Sequence, residues 1–212
     1  MFFVKDFTFN PLQENTYIVY NEEKNAIIID PGCYFDNERS MLEDFICDNH
    51  LTIKYLLNTH CHLDHVFGNK WVYEKYGTPL YIHKQENQTL AMAPASGLMW
   101  GIPFDNYDGP IYELTPGKYI TLDDDELQIM FTPGHSPGHL SFYSSKEGWL
   151  ISGDVLFRES IGRTDLPGGD YSTLIKSIKE NFWQLPEETV VYSGHGPTTT
   201  IGHEKKHNPF LN

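Results

Sequence analysis

The stretch Asn58–Gly68 reads N-T-H-C-H-L-D-H-V-F-G and holds three histidines and one aspartate within six positions. No helix or strand needs that composition in order to fold. The stretch follows Ile53–Leu57, an apolar run between polar residues that is typical of a buried strand. Alternate side chains of an extended chain point to the same side, so His60 and His62 can face one metal ion.

Asp64 and His65 follow at the start of a helix that we predict over Asp64–Tyr76, with Gly77 ending it. A turn at this point can bring both side chains beside the first histidine pair as a second set of ligands. Imidazole suits zinc and iron, and a carboxylate suits the harder side of the same site. Cys61 occupies the alternating position between the two histidines, so we expect its side chain to point away from the metals.

Three more candidate ligands lie downstream, each after a predicted strand. His135 lies in T-P-G-H, Asp154 in S-G-D and His195 in S-G-H. The glycine before each ligand lets the backbone turn sharply and come close to a metal centre. A closed structural zinc site needs only four ligands, so this larger set favours an enzyme with an open metal position over a metal-stabilised binding module.

Strand-like and helical segments alternate along the rest of the chain. Strands are predicted over Phe3–Phe9, Thr16–Tyr20, Ala26–Ile29, Leu140–Tyr143, Trp149–Ile151 and Val190–Tyr192, with one or two more within Tyr119–Phe131, and helices over Asp36–Asn49 and Tyr171–Trp183. Two β-rich halves with interspersed helices predict a layered α/β fold. The stretch 83–116 is the least regular, and it fits either a lid or pocket wall or a surface excursion with one short helix.

Composition narrows the class of protein. The chain has 212 residues, of which 40% are hydrophobic, which fits one domain with a substantial core. Its net charge of −14 disfavours a broad nucleic-acid or anionic-membrane surface. The three cysteines lack framework spacing, which predicts free thiols in a reducing, cytoplasmic compartment. We expect no export signal, no membrane span and no obligate protein partner.

The segments THCHLDH, TPGHSPGH, SGDVLF and SGHG together resemble the metallo-β-lactamase superfamily, over about Asp30 to His195. The resemblance implies an α/β fold, a four-layer αββα sandwich with the metal centre at one edge between the two sheets. It implies a single domain over residues 1–212. It also implies two divalent metal ions, with zinc expected and iron or manganese also compatible.

The resemblance assigns ligands to the two metals residue by residue. The first metal would be held by three histidines, His60, His62 and His135. The second would be held by His65, His195 and Asp64. Asp154 would bridge both metals. Asp30, in I-I-I-D-P-G, would support the ligands without binding metal. His139 would hydrogen-bond a neighbouring loop.

Within the superfamily, the chain looks most like the short, single-domain glyoxalase II-like hydrolases. G-R-T-D-L-P-G-G-D over Gly162–Asp170 and the tail T-T-I-G-H-E-K-K-H-N-P-F-L carry that similarity. The implied activity is that of a hydroxyacylglutathione hydrolase, acting on S-D-lactoylglutathione or a similar acyl-thiol or ester. We expect no C-terminal helical domain of the kind that supplies part of the glutathione grip in longer members, so glutathione selectivity is not implied.

Arg163 falls near the position where the longer enzymes place a substrate-binding lysine, and Asp165 falls near a substrate-contacting tyrosine. Arg163 would either pair with a substrate carboxylate or form a salt bridge with Asp165 or Asp170. In the implied reaction a hydroxide shared by two metals attacks an activated carbonyl. Asp64 would orient this nucleophile and accept its proton.

Alternatives on the same fold remain open. A persulfide dioxygenase would use a single iron held by His60, His135 and Asp154. A secreted β-lactamase is disfavoured by the lack of an export signal and by Asp154, which stands where cysteine or serine is expected. A nucleic-acid-processing member is disfavoured by the net charge of −14.

Overall fold

The computed structural model describes residues 1–211, so Asn212, the last residue of the expected domain, lies outside the described residues. The chain divides into two compact units. The first comprises residues 1–114 and 121–125, and the second comprises residues 115–120 and those from 126 onward. Within residues 1–211 the strands form two six-stranded sheets and one two-stranded hairpin, with helices interspersed. The predicted mixed α/β class is confirmed.

The first sheet belongs to the first unit. Its strands are β1 (Phe3–Phe9), β2 (Glu14–Tyr20), β3 (Asn25–Ile29), β4 (Thr52–Leu57), β5 (Leu80–Ile82) and β6 (Ile111–Glu113), in that order across the sheet. β1, β2 and β3 pair antiparallel, whereas β3 to β6 pair parallel. Ile29 of β3 lies opposite Leu57 of β4, so these two strands end at the same edge of the sheet.

The helices of the first unit are α1 (Asp36–Asp48), α2 (Leu63–Val66), α3 (Asn69–Tyr76) and α4 (Asn87–Trp100). The prediction of one helix over Asp64–Tyr76 was wrong, because the chain breaks between α2 and α3 at Gly68. The Gly68 N–H donates to the Pro31 carbonyl at 2.7 Å, and a Cβ at this position would overlap Cys33 Sγ. Gly77 ends α3 in the left-handed conformation, as predicted, with φ of 69°.

The irregular stretch 83–116 contains the 14-residue helix α4 and the short strand β6. α4 packs against α2 and buries Leu90, Ala93 and Gly97. Its apolar residues are spread around the helix and Pro94 lies inside it, so the sequence carries no clear helical periodicity there. The helix is longer than the short one considered for a surface excursion, and it lies beside the element that carries Asp64 and His65.

The second sheet belongs largely to the second unit. Its strands are β7 (Tyr119–Leu122), β8 (Asp125–Phe131), β9 (Leu140–Ser144), β10 (Trp149–Gly153), β13 (Val190–Ser193) and β14 (Thr199–Thr200), and the order across the sheet is β14-β13-β10-β9-β8-β7. β11 (Leu156–Phe157) and β12 (Ser160–Ile161) form a separate hairpin. β10 and β13 are parallel neighbours, with Gly153 opposite Ser193, so they also end at one edge.

Two helices complete the second unit, α5 (Tyr171–Asn181) and α6 (Ile201–His207). Asp170 caps α5 by accepting a hydrogen bond from the Thr173 N–H at 2.7 Å. Leu174 and Ile178 are fully buried on the apolar face of α5. Among residues 1–211, none of the helices combines the length and the apolar character that crossing a membrane requires.

Candidate metal centre

The buried carboxylate of Asp30 organises the histidine-rich loop of the first unit. Asp30 follows β3 and the loop follows β4, so the parallel register of these strands brings them together. Asp30 Oδ1 accepts from the Thr59 N–H at 2.7 Å and from Asn58 Nδ2 at 3.1 Å. Asp30 Oδ2 accepts from Thr59 Oγ1 at 2.6 Å and lies 3.1 Å from His65 Nδ1. One carboxylate therefore holds the start of the loop and one predicted ligand.

These hydrogen bonds determine which nitrogen of each imidazole carries the proton. An ionised carboxylate can only accept, so His65 Nδ1 donates to Asp30. The Thr59 hydroxyl already donates to Asp30, and it therefore accepts from His60 Nδ1 at 3.0 Å. Both rings then present the Nε2 lone pair on the side away from Asp30. This arrangement, in which an outer acceptor fixes the tautomer, is the usual one for metal-binding histidines.

The four predicted ligands of the loop lie close together. The ring centroid of His60 is 4.7 Å from that of His62 and 4.1 Å from that of His65. Asp64 Oδ2 lies 3.8 Å from His65 Nε2. The cluster is largely buried and combines imidazole with carboxylate, which is a donor set that zinc and iron accept. Because both oxygens of Asp30 are engaged by the loop, Asp30 fits a support better than a ligand.

Cys61 lies within the hydrophobic core of the first unit, as the alternation of the loop predicts. Burial raises the pKa of its thiol well above the usual value, which disfavours the thiolate that binds metal. Its backbone N–H donates to Glu86 Oε2 at 2.9 Å. Glu86 is buried, 25 positions from Cys61, and the sequence carries no signal for this role.

Glu14 is a second buried carboxyl group, and it lies beside His65. The sequence did not predict this position. Glu14 Oε1 is 3.8 Å from His65 Nδ1, and its Oε2 accepts from Thr16 Oγ1 at 3.0 Å. Burial, the largest influence, raises the pKa of Glu14 well above the usual value, while the neighbouring His65 opposes that rise. The sequence of strand β2, which carries Glu14, is typical of a core strand. The position of Glu14 beside His65 is therefore visible only in the structure.

The second unit brings together the three predicted downstream ligands, two of which follow neighbouring parallel strands. Asp154 follows β10 and His195 follows β13, and the Gly194 N–H donates to the Gly153 carbonyl at 2.9 Å. Asp154 Oδ2 lies 3.5 Å from His195 Nε2 and 3.5 Å from His135 Nε2. Two tetrahedral ligands at about 2.1 Å from one metal stand about 3.4 Å apart, so this spacing suits a shared ion.

Two hydrogen bonds fix the orientation of this group. His135 Nδ1 donates to the Arg163 carbonyl at 2.7 Å, which leaves the Nε2 lone pair facing Asp154. The Asp154 N–H donates to His139 Nε2 at 3.1 Å, and His139 Nδ1 lies 3.1 Å from Thr132 Oγ1. His139 therefore hydrogen-bonds the neighbouring Asp154 loop, as the sequence suggested.

The side chain of Arg163 is exposed and forms a bidentate salt bridge with Asp165. Arg163 Nε donates to Asp165 Oδ1 at 2.7 Å, and Arg163 Nη2 donates to Asp165 Oδ2 at 2.8 Å. The hydrogen bond from Arg163 lowers the pKa of Asp165 to about 2. Asp170 instead caps α5. Of the two carboxylates predicted to pair with Arg163, Asp165 and Asp170, it is Asp165 that forms the salt bridge in this structure.

Comparison with known proteins identifies the family. The profile of the Metallo-beta-lactamase superfamily matches residues 9–195. The chain belongs to the metallo-β-lactamase superfamily. It is 41% identical over 209 residues to the "Probable metallo-hydrolase YqgX" of Bacillus subtilis, covering 95% of this chain and 94% of the relative. It is 38% identical over 202 residues to the "Hydroxyacylglutathione hydrolase GloC" of Haemophilus influenzae, covering 94% and 93%.

Solved structures agree with this membership. The BLEG-1 B3 metallo-beta-lactamase superposes with a TM-score of 0.90 at 42% identity, covering 99% of this chain and 100% of that one. TTHA1623 in a di-iron-bound form superposes with a TM-score of 0.87 at 37% identity, covering 98% and 100%. The protein has the metallo-β-lactamase fold and is a metal-dependent hydrolase of this superfamily.

The hydroxyl of Thr59 provides a test of the Asp30 network. Thr59→Val keeps the volume but leaves His60 Nδ1 without its acceptor, so metal affinity should fall about 10- to 100-fold. Thr59→Ser, which keeps the hydroxyl, should bind metal as the wild type does. Competition with a chromophoric chelator measures the affinity. Equal affinity of the wild type and Thr59→Val would show that the network does not orient the ligand.

The orientation of Cys61 provides a second test. Cys61→Ala should retain the full metal content, because its thiol lies in the core, whereas Asp154→Ala should lose metal. Elemental analysis of the purified proteins after dialysis measures both. Loss of metal from Cys61→Ala would mean that the Cys61 side chain points toward the metals, contrary to the prediction.

Proposed function

We propose that this protein is a two-metal thioester hydrolase of the glyoxalase II type. The observation that carries the proposal is the position of Asp154, whose Oδ2 lies 3.5 Å from the Nε2 atoms of both His135 and His195. A carboxylate between two imidazoles suits a bridging ligand, and a bridged pair of metals suits hydrolysis.

His60, His62 and His135 would hold the first metal, and Asp64, His65 and His195 would hold the second. Asp154 would serve as a ligand to both. The tautomers of His60, His65 and His135 support this set, since each has its Nδ1 committed to an outer acceptor.

The metals, when bound, supply a hydroxide nucleophile at neutral pH and polarise the carbonyl of the substrate. Asp64 would orient the nucleophile through its carboxylate and accept its proton. The Asp64 side chain is only 11% exposed, so few water molecules compete for its oxygens. The Asp154 N–H donates to His139 Nε2, and this hydrogen bond would help to position the Asp154 carboxylate toward the metals.

The substrate class proposed is an acyl-thiol, with S-D-lactoylglutathione as the first candidate. It is supported by the relative named as a hydroxyacylglutathione hydrolase, which aligns over 93% of its own length. Zinc is the metal we propose, because imidazole and carboxylate together suit it. Iron suits the same donors, and a similar structure is described as di-iron-bound.

The proposal extends to the setting of the enzyme. We propose a single domain over residues 1–212 that acts on a small molecule in the cytoplasm, without nucleic acid, membrane or obligate protein partners. The acidic net charge of −14 and the three free cysteines support this setting.

Hydrolysis of S-D-lactoylglutathione by the zinc-loaded protein tests the proposal. We expect turnover that falls about 10²- to 10⁴-fold in Asp64→Asn, because the amide cannot accept the proton. The metal content of Asp64→Asn must be measured beside the rate, so that loss of a ligand is distinguished from loss of the proton acceptor.

Two parallel assays distinguish the competing reactions of the same fold. Oxygen uptake on glutathione persulfide with one iron per chain would replace the proposal with the persulfide dioxygenase. Faster turnover of a β-lactam than of any thioester would favour the reaction named for the BLEG-1 structure. Inactivity of the fully metallated protein on thioesters would remove the proposed substrate class.

Arg163 is the residue we propose for binding the substrate carboxylate, although Asp165 engages it in this structure. Asp165→Asn should release the guanidinium and lower KM for an anionic acyl-thiol several-fold, whereas Arg163→Met should raise it. Arg158→Met, at an exposed arginine in the β11–β12 hairpin, is the matched control. Steady-state kinetics measure KM for each variant. An unchanged KM in both Arg163→Met and Asp165→Asn would show that Arg163 only stabilises its loop and does not bind the substrate.

A further inference from the structure

The helix α2, which carries Asp64 and His65, is only one turn long. It spans Leu63–Val66, and a single turn gains little stability from its own hydrogen bonds. In a continuous α-helix the Gly68 N–H would donate to the carbonyl of Asp64, four residues earlier. Here the Gly68 N–H donates to the Pro31 carbonyl at 2.7 Å. The break after α2 therefore leaves the Asp64 carbonyl accessible to a donor from another part of the chain.

That donor is the side-chain amide of Asn10, in the turn between β1 and β2. Asn10 Nδ2 donates to the Asp64 carbonyl at 3.1 Å and to the Gly32 carbonyl at 3.0 Å, so both hydrogens of the amide are used. Asn10 Oδ1 accepts from the Leu12 N–H at 2.9 Å, which identifies the amide oxygen and directs the nitrogen to the two carbonyls. One amide therefore joins the loop after β3 to α2.

The main chain of Asn10 is itself held in place. Asn10 is 7% exposed and has a φ of 54°, in the left-handed region that asparagine adopts more readily than most residues. Its N–H donates to Glu38 Oε1 at 2.7 Å. Glu38 Oε2 accepts from the N–H groups of Tyr34 and Phe35 at 2.8 and 3.0 Å. The β1–β2 turn is thus tied to the start of α1 as well as to α2.

Gly32 shows how closely these groups approach one another. A Cβ on Gly32 would lie 2.6 Å from the Asp64 carbonyl oxygen and 2.7 Å from Asn10 Nδ2, so a larger residue would push them apart. The Gly32 N–H donates to Thr16 Oγ1 at 2.9 Å, which holds this glycine from the side of β2. Loss of the Asn10 amide would therefore remove the contact that ties the Asp64 carbonyl to this junction.

We propose that Asn10 is a positioning residue for the second metal and acts through the main chain of Asp64. The inference rests on the proposed ligand set, in which Asp64 and His65 would hold that metal. A rotation of α2 would move the Asp64 carboxylate, and the Asn10 amide opposes this rotation. The imidazole of His65 is held separately by Asp30 Oδ2. Asn10 thus supports Asp64 from outside the ligand set, as Asp30 supports His65.

Zinc affinities measured without substrate test this role. Asn10→Gly removes the amide, adds no charge and suits the positive φ. Gln13→Gly is the matched control, because Gln13 lies in the same turn with a φ of 57° and an exposed side chain. Titration against a chelator resolves the two affinities, and Asp64→Asn identifies the one that belongs to the second metal. We expect Asn10→Gly to lower that affinity about 10-fold and to leave the other unchanged, with Gln13→Gly equal to the wild type.

A double variant separates positioning from a general loss of stability. If Asn10 acts through Asp64, adding Asn10→Gly to Asp64→Asn should change the zinc affinities by less than about 2-fold, because the two effects are not independent. Equal weakening of both ions by Asn10→Gly, or a further 10-fold loss in the double variant, would overturn the proposal. Asn10→Asp keeps the acceptor for the Leu12 N–H and loses the donors, so it repeats the test if Asn10→Gly does not fold.

The outcome does not depend on the substrate. Two zinc ions held equally by the wild type and by Asn10→Gly would overturn the role of Asn10 and leave the proposed hydrolase intact. A wild type that holds one zinc ion at saturation would overturn the two-metal ligand set, and the role of Asn10 with it.

Discussion

A buried carboxylate at the end of a strand is the constraint on which the histidine-rich loop depends. Asp30 is 1% exposed, and its oxygens are engaged by Asn58, Thr59 and His65. A buried charge is costly unless hydrogen bonds compensate for it, so the loop and the carboxylate stabilise each other. The same bonds fix the proton positions on His60 and His65. The hydrogen bonds that hold the loop therefore also orient the rings of His60 and His65.

In the second unit, different residues position the candidate ligands at the strand ends. The parallel strands β10 and β13 end together, and Asp154 and His195 extend beyond their ends. Here an imidazole, His139, accepts the backbone N–H of the carboxylate residue. The histidine-rich loop follows β4 beside Asp30 at the end of β3, and Asp154 and His195 follow β10 and β13. In both units these residues lie beyond the carboxyl ends of neighbouring parallel strands, where loops can vary without disturbing the sheet.

The local features of this protein were predictable from its sequence. Strands such as β3 and β4 are short apolar runs. The glycines before His135 and Asp154 have the positive φ of a sharp turn. The alternation of the loop predicts that the Cys61 side chain points into the core. Features that depend on distant partners were not predictable. The break at Gly68 depends on packing against Pro31 and Cys33, which the helical pattern of that segment does not encode.

The supporting residues of the candidate site show the same limit. Thr59, Glu14 and Glu86 acquire their roles only through burial beside groups that the fold brings to them. The length of the helix α4 was not predictable, because its apolar residues surround it and Pro94 interrupts the pattern. Ligand types and spacing are thus readable in a sequence, whereas the groups that orient the ligands are defined by tertiary structure.

We propose that seven side chains hold two metal ions and that Asp154 binds both. Anomalous X-ray diffraction from crystals of the metal-loaded protein can locate these ions. We expect two peaks about 3.5–4 Å apart, with Asp154 bound to both and Asp30 to neither. A single peak that is held by His60, His135 and Asp154 alone, or a metal bound to Asp30, would contradict it.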